Sequence, residues 1–184
     1  MKKRLTRRAC EMIEKSLCYF PELKDKSITV GYTRKHLGSA TLVYSANKDL
    51  RLIMRLKVRK LTYQTIGHEL THLVQGLLRD DRNSRPSAVP GKIPSGEKQC
   101  DIWTLARHEL FCDDPPTYLR LPRVMREAWM DYANDVRKLC VAAIEKRNVF
   151  RLYIRWLEAE IRKLAQTPRR KESAPRQLTL PFAT

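Results

Sequence analysis

The residues best suited to chemistry are His68, Glu69 and His72, in the run His68-Glu69-Leu70-Thr71-His72. Imidazole nitrogens bind transition metals and a carboxylate accepts protons, so a His-Glu-x-x-His run joins a pair of ligands to a base. On a helix the two histidines lie one turn apart on one face, and both rings reach a single ion while Glu69 projects towards the open coordination position. Zn2+ suits that arrangement. It lowers the pKa of its water towards neutrality, and a neighbouring carboxylate takes the proton and later passes it to a leaving amine. Peptide-bond hydrolysis is the expected reaction, with Glu69 catalytic and His68 and His72 as metal ligands. A catalytic zinc usually has three protein ligands, so one more is needed. Downstream stand Glu97 and Asp101, one helical turn apart. Glu97 is the expected third ligand, and Asp101 is placed to accept a hydrogen bond from a ligand histidine.

The run must sit on a helix whose back is packed. Ile66, Leu70, Leu73, Val74 and Leu77 recur at helical spacing around it, which predicts a helix from about Leu61 to Leu78. A polar, proline-containing loop should follow from Arg79 to Ser95, then a second helix from about Gly96 to Leu110. Before the motif, an amphipathic helix is expected from about Leu5 to Leu17, closed by Phe20-Pro21. Strand character then runs from Ser27 to Lys57: Ile28-Thr29-Val30, Thr41-Leu42-Val43-Tyr44, a turn at Asn47-Lys48-Asp49, and an alternating run. In that run Leu50, Leu52, Met54, Leu56 and Val58 share one face, with Arg51, Ile53, Arg55, Lys57 and Arg59 on the other. Asp113-Asp114-Pro115-Pro116 should break the second helix. Two more helices are expected, from about Val124 to Ile144 and from about Val149 to Ala165.

The Glu97-x-x-x-Asp101 pattern after a His-Glu-x-x-His helix resembles the gluzincin metallopeptidases. In their small members, the minigluzincins, a helix, a three-stranded sheet, the active-site helix and the glutamate helix succeed one another, and that order is readable here. The resemblance implies an α+β fold with a zincin-like domain over 1–120 and a short, mainly antiparallel sheet; the patterning beyond it adds a helical extension over 121–166, and the composition from Thr167 on is that of a disordered basic tail over 167–184. In size and basicity the chain also resembles the SprT-like and Spartan proteases, which use three histidines. That makes His108 the rival third ligand. It lies eleven residues beyond Glu97, roughly 16 Å along a helix, so the two cannot share one ion, and Glu97 fits the spacing better. A hydrogen-bond donor to the developing oxyanion is also needed, and Tyr118, Tyr132 and His108 are all available. In such peptidases the edge strand above the cleft takes substrate by strand addition. If the strand before the motif is that edge, Arg51, Arg55, Lys57 and Arg59 bring positive charge to the groove; equally, they protect an edge from aggregation.

The chain has 184 residues, and 37 Lys and Arg against 20 Asp and Glu give a formal net charge of +17. Such an excess draws a protein to polyanions, and non-sequence-specific contact with nucleic acid through Arg51, Arg55, Lys57 and Arg59 is the expectation, a generally basic surface being the alternative. The tail segment Gln177-Leu178-Thr179-Leu180-Pro181-Phe182 resembles the bacterial form of the peptide that docks replication and repair proteins on the sliding clamp. Gln177, Leu178, Leu180 and Phe182 would make those contacts. Five cysteines without a Cys-x-x-Cys pair argue against a disulfide framework or a zinc ribbon and for a reducing cytoplasm. No leader-like apolar segment follows the basic start, and no run is long enough to span a membrane. Together these features point to a SprT-like zinc protease acting on protein or peptide substrates, including proteins attached to DNA. The alternatives are a regulatory peptidase unconnected with DNA and a non-catalytic accessory protein that binds DNA or the clamp.

Overall fold

The computed structural model describes residues 5–44, 50–80 and 93–167. The turn at Asn47-Lys48-Asp49, most of the loop after the motif helix, and the tail with Gln177, Leu178, Leu180 and Phe182 lie outside the described residues. The fold is α+β: a first helix, a three-stranded sheet, then a helical remainder.

Helix α1 (Arg7–Leu17) starts at Thr6, whose hydroxyl accepts from the Ala9 N–H at 3.2 Å. It buries Ala9, Met12, Ile13 and Ser16, a helical stripe, and turns its charged residues outwards. Strands β1 (Ile28–Tyr32), β2 (Gly38–Tyr44) and β3 (Leu50–Leu56) lie in the order β1-β3-β2. Leu52, Met54 and Leu56 are buried and Arg51 and Arg55 exposed, so the alternation read from the sequence holds.

Two expectations about the sheet are corrected. It is mixed rather than mainly antiparallel: β2 pairs antiparallel with β3, but β1 pairs parallel with it. And β3, the strand before the motif helix, is the central strand, with β2 at the edge. Arg51 and Arg55 therefore lie on an interior strand, while Lys57 and Arg59 lie beyond the strand's end, Arg59 in a 3-10 turn (Val58–Lys60). Alternation assigns a strand's faces but says nothing of its neighbours.

Helix α2 (Tyr63–Asp80) carries the motif and α3 (Glu97–Arg107) lies against it. A 3-10 turn (Glu109–Cys112) leads on to α4 (Arg123–Glu127), α5 (Trp129–Arg147) and α6 (Tyr153–Gln166). Three helices thus stand where two were expected. The segment expected as one helix breaks at Ala128, whose φ of −113° and ψ of 42° leave the helical region. Just past the break Trp129 is buried, and its Nε1 donates to the Cys112 carbonyl at 2.7 Å. One apolar cluster runs from Met12 on α1 through α2, α3 and α5 to Ile161 on α6. Among the described residues no helix is long and apolar enough to cross a membrane.

Candidate metal centre

Helix α2 is held at its start by groups far away in sequence. The Asp113 carboxylate accepts from the main-chain N–H of Tyr63 at 2.7 Å and of Gln64 at 2.9 Å, while the Thr62 hydroxyl accepts from Thr65 N–H at 3.2 Å. Ile66, Leu70, Leu73 and Val74 form its fully buried back. Gly67 lets α3 and the following turn approach: a Cβ there would stand 2.6 Å from Thr104 Cγ2 and 2.7 Å from Phe111 Cδ1. Thr71 and Thr104 hydroxyls meet across the same contact at 2.8 Å. The two helices are thereby pressed together along the face that carries the histidines.

On that face three side chains converge. Glu97 Oε2 lies 3.0 Å from His68 Nε2 and 3.1 Å from His72 Nε2. Bonds of about 2.0–2.1 Å to a tetrahedral ion put ligand atoms roughly 3.3 Å apart, so these separations fit donors that share one ion. The other ring nitrogens are engaged as well. Asp101, fully buried, accepts at Oδ1 from His68 Nδ1 at 2.8 Å and from Gln64 Nε2 at 3.2 Å. At Oδ2 it accepts from the N–H of Tyr118 at 2.6 Å and of Leu119 at 2.8 Å. With both oxygens accepting, Asp101 fixes a proton on His68 Nδ1, which leaves Nε2 as the nitrogen that faces Glu97.

His72 is oriented in the same way by a different residue. Its Nδ1 lies 3.1 Å from Gln75 Oε1, and the Gln75 amide nitrogen donates to the Pro94 carbonyl, which settles which end of the amide is oxygen. Cys100 adds a further donor. One ligand atom each from His68, His72 and Cys100 lie within 4.8 Å of one another, a group able to hold a metal ion. The Cys100 Sγ stands 3.2 Å from His72 Nδ1, the nitrogen opposite the one that Glu97 touches.

Burial and charge tune these groups. Burial pushes the Glu69 carboxyl up to about 7, reinforced by Glu97 and opposed by His68. Burial lowers the pKa of His68, but its hydrogen bond to Asp101 and the Asp101 charge outweigh this and the net shift is upward. For Glu97 burial acts upward, and the bonds to His68 and His72 reverse it to a net lowering. Burial and the surrounding carboxylates raise Tyr118, which keeps its hydroxyl protonated.

A cleft of about 280 Å³ opens beside these residues, lined among others by His36, Gly38, Thr65, Glu69 and Tyr118. The ring of Tyr118 stacks on His68 at 5.4 Å, whereas Tyr132 is buried. His108 stands apart from this network, stacked on Tyr19 at 4.0 Å, with its Nδ1 accepting from the Leu110 N–H. Sequence spacing does not single out Gln64, Gln75, Gly38, Cys100 or Asp113 as parts of the site. Gln64 and Gln75 still had a usable signal, since one precedes His68 and the other follows His72 by one turn of α2; the others meet the site through tertiary contacts. No family model, curated protein or solved structure matches the chain.

Proposed function

We propose that the protein is a zinc-dependent metallopeptidase of the gluzincin kind, with His68, His72 and Glu97 as the ligands. The observation that carries this reading is the convergence of both Nε2 atoms on Glu97 Oε2, at 3.0 and 3.1 Å, with each opposite nitrogen held by a hydrogen-bond acceptor. Bound there, zinc supplies Lewis acidity, which makes water nucleophilic near neutral pH and polarises a carbonyl. Glu69, buried at the cleft, accepts the proton of the attacking water and returns it to the leaving amine. The Tyr118 hydroxyl donates to the oxygen of the attacked carbonyl as it gains charge. Asp101 and Gln75 keep the histidines in the tautomer that presents Nε2.

The substrate is a peptide added as a further strand along β2, the edge strand, which reaches Glu69 at Gly38. A Cβ on Gly38 would collide with the Glu69 carboxylate, so the strand approaches as closely as glycine permits. The net charge of +17 supports a second feature of the reading, that the protein substrates are bound to nucleic acid. Docking on a sliding clamp through Gln177, Leu178, Leu180 and Phe182 belongs to the same proposal.

The test is zinc content and cleavage of an unfolded protein, with and without DNA, for wild type, Glu69→Gln, Glu97→Ala and Cys100→Ala. Zinc at one equivalent in wild type and Glu69→Gln, cleavage in wild type alone, and loss of metal in Glu97→Ala are expected. Turnover by Glu69→Gln at the wild-type rate refutes the peptidase. Full zinc retention in Glu97→Ala with loss in Cys100→Ala moves the third ligand to Cys100. Cleavage indifferent to DNA leaves a peptidase without the nucleic-acid connection.

A further inference from the structure

The metal cleft does not end at the metal. At Leu37 and Thr65 it meets a second cavity of about 550 Å³, and both residues line both spaces. Thr65 precedes Glu69 by one turn of α2, so the second cavity continues the cleft past the base towards the start of that helix. Its floor is apolar, made by Ala9 and Met12 of α1 with Leu37 and Leu61. Its rim is basic: Arg8 comes from α1, and Arg59 and Lys60 come from the turn between β3 and α2. All three are exposed, and among the described residues none of their side chains has a hydrogen bond or ion pair. Three cations from two separate elements thus line a hollow that also presents four apolar side chains.

We propose that this cavity is a specificity subsite for an acidic residue of the substrate, a glutamate above all. The proposal rests on the peptidase reading and names the substrate preference of that same site. A glutamate side chain matches the cavity in both parts, since its methylene stem covers Ala9, Met12 and Leu37 while its carboxylate reaches the basic rim. Asp114 also lines the cavity. A peptide brings main-chain N–H groups that this carboxylate accepts, and the three cations outnumber it in drawing an acidic side chain.

The experiment uses the full-length, zinc-loaded protein and matched quenched fluorescent peptides with Glu, Gln or Lys at each position flanking the scissile bond. At one position Glu is expected to exceed Lys in kcat/KM by at least about fivefold, the upper range of one exposed ion pair. That ratio should fall towards one in Arg59→Ser combined with Lys60→Ser and, on a different element, in Arg8→Ser. The same peptides are also titrated by fluorescence polarisation onto zinc-loaded Glu69→Gln. If nothing is cleaved but Glu peptides bind through Arg8, Arg59 and Lys60, hydrolysis fails as the function while the subsite stands. Cleavage without preference at any position, or a preference untouched by both sets of substitutions, overturns the subsite and leaves the peptidase standing. Displacement of the peptides by a single-stranded oligonucleotide, relieved by the same substitutions, assigns the groove to nucleic acid and also overturns it.

Discussion

Asp101→Asn replaces a carboxylate that accepts four hydrogen bonds, from His68 Nδ1, Gln64 Nε2 and the N–H groups of Tyr118 and Leu119, with an amide of nearly the same shape. The amide offers one oxygen and one NH2 group. The two main-chain N–H groups cannot become acceptors, so the oxygen must serve them and the NH2 must face His68 and Gln64. His68 can adapt by holding its proton on Nε2 instead of Nδ1, but that removes the lone pair that an ion beside Glu97 would need. Loss of such an orienting partner costs about 10–100-fold in metal affinity, or about 1.4–2.7 kcal/mol. Gln64 Nε2 loses an acceptor in a buried position, which costs about 1–3 kcal/mol of stability and lowers Tm by several degrees. The assay is a competitive chelator titration with zinc, paired with long-range nitrogen–proton NMR of the His68 ring and a melt of the metal-free protein. Zinc affinity within about twofold of wild type, with the His68 proton still on Nδ1, would refute the reasoning.

Three further outcomes follow from the same geometry. Gln75→Met removes the acceptor at 3.1 Å from His72 Nδ1 and should weaken zinc by about tenfold in the chelator titration, with turnover restored at saturating zinc. Gly38→Ala would place a Cβ 2.6 Å from Glu69 Cγ and 2.7 Å from its Cδ. A cost of about 1–3 kcal/mol in denaturant unfolding and a large fall in kcat are expected, with zinc still bound; wild-type kcat would count against the close approach of strand and base. Asp113→Ala removes the carboxylate that accepts at 2.7 and 2.9 Å from the first N–H groups of α2, and should cost about 0.5–2 kcal/mol. Calorimetry checks that loss, and an unchanged melting curve would show that water caps the helix equally well.

Much of the centre was legible because its parts are local. His68 and His72, and likewise Glu97 and Asp101, are pairs four residues apart, and helical periodicity alone puts each pair on one face. The apolar residues Ile66, Leu70, Leu73 and Val74 show in the same way which face of α2 is its back, and all four are buried. The alternation of Leu52, Met54 and Leu56 with Arg51 and Arg55 likewise separates buried from exposed. Each of these statements concerns residues within a few positions of one another, where backbone geometry converts spacing directly into direction.

What lay beyond the sequence depends on contacts between distant segments. Strand order put β3 between β1 and β2 and gave β2 the edge beside Glu69, because pairing is chosen by hairpin and crossover geometry and not by the alternation within a strand. The carboxylate of Asp113, fifty positions from the residue it caps, looked like part of a helix-breaking loop until folding brought it to the start of α2. Cys100 had nothing in its neighbours to separate it from the other buried thiols, and it meets His72 solely because α2 and α3 pack closely at Gly67. The sequence by itself determined which side chains share a helical face. The tertiary structure decided which faces meet, and with them the partner of each histidine nitrogen, since those partners lie on elements whose approach no local pattern encodes.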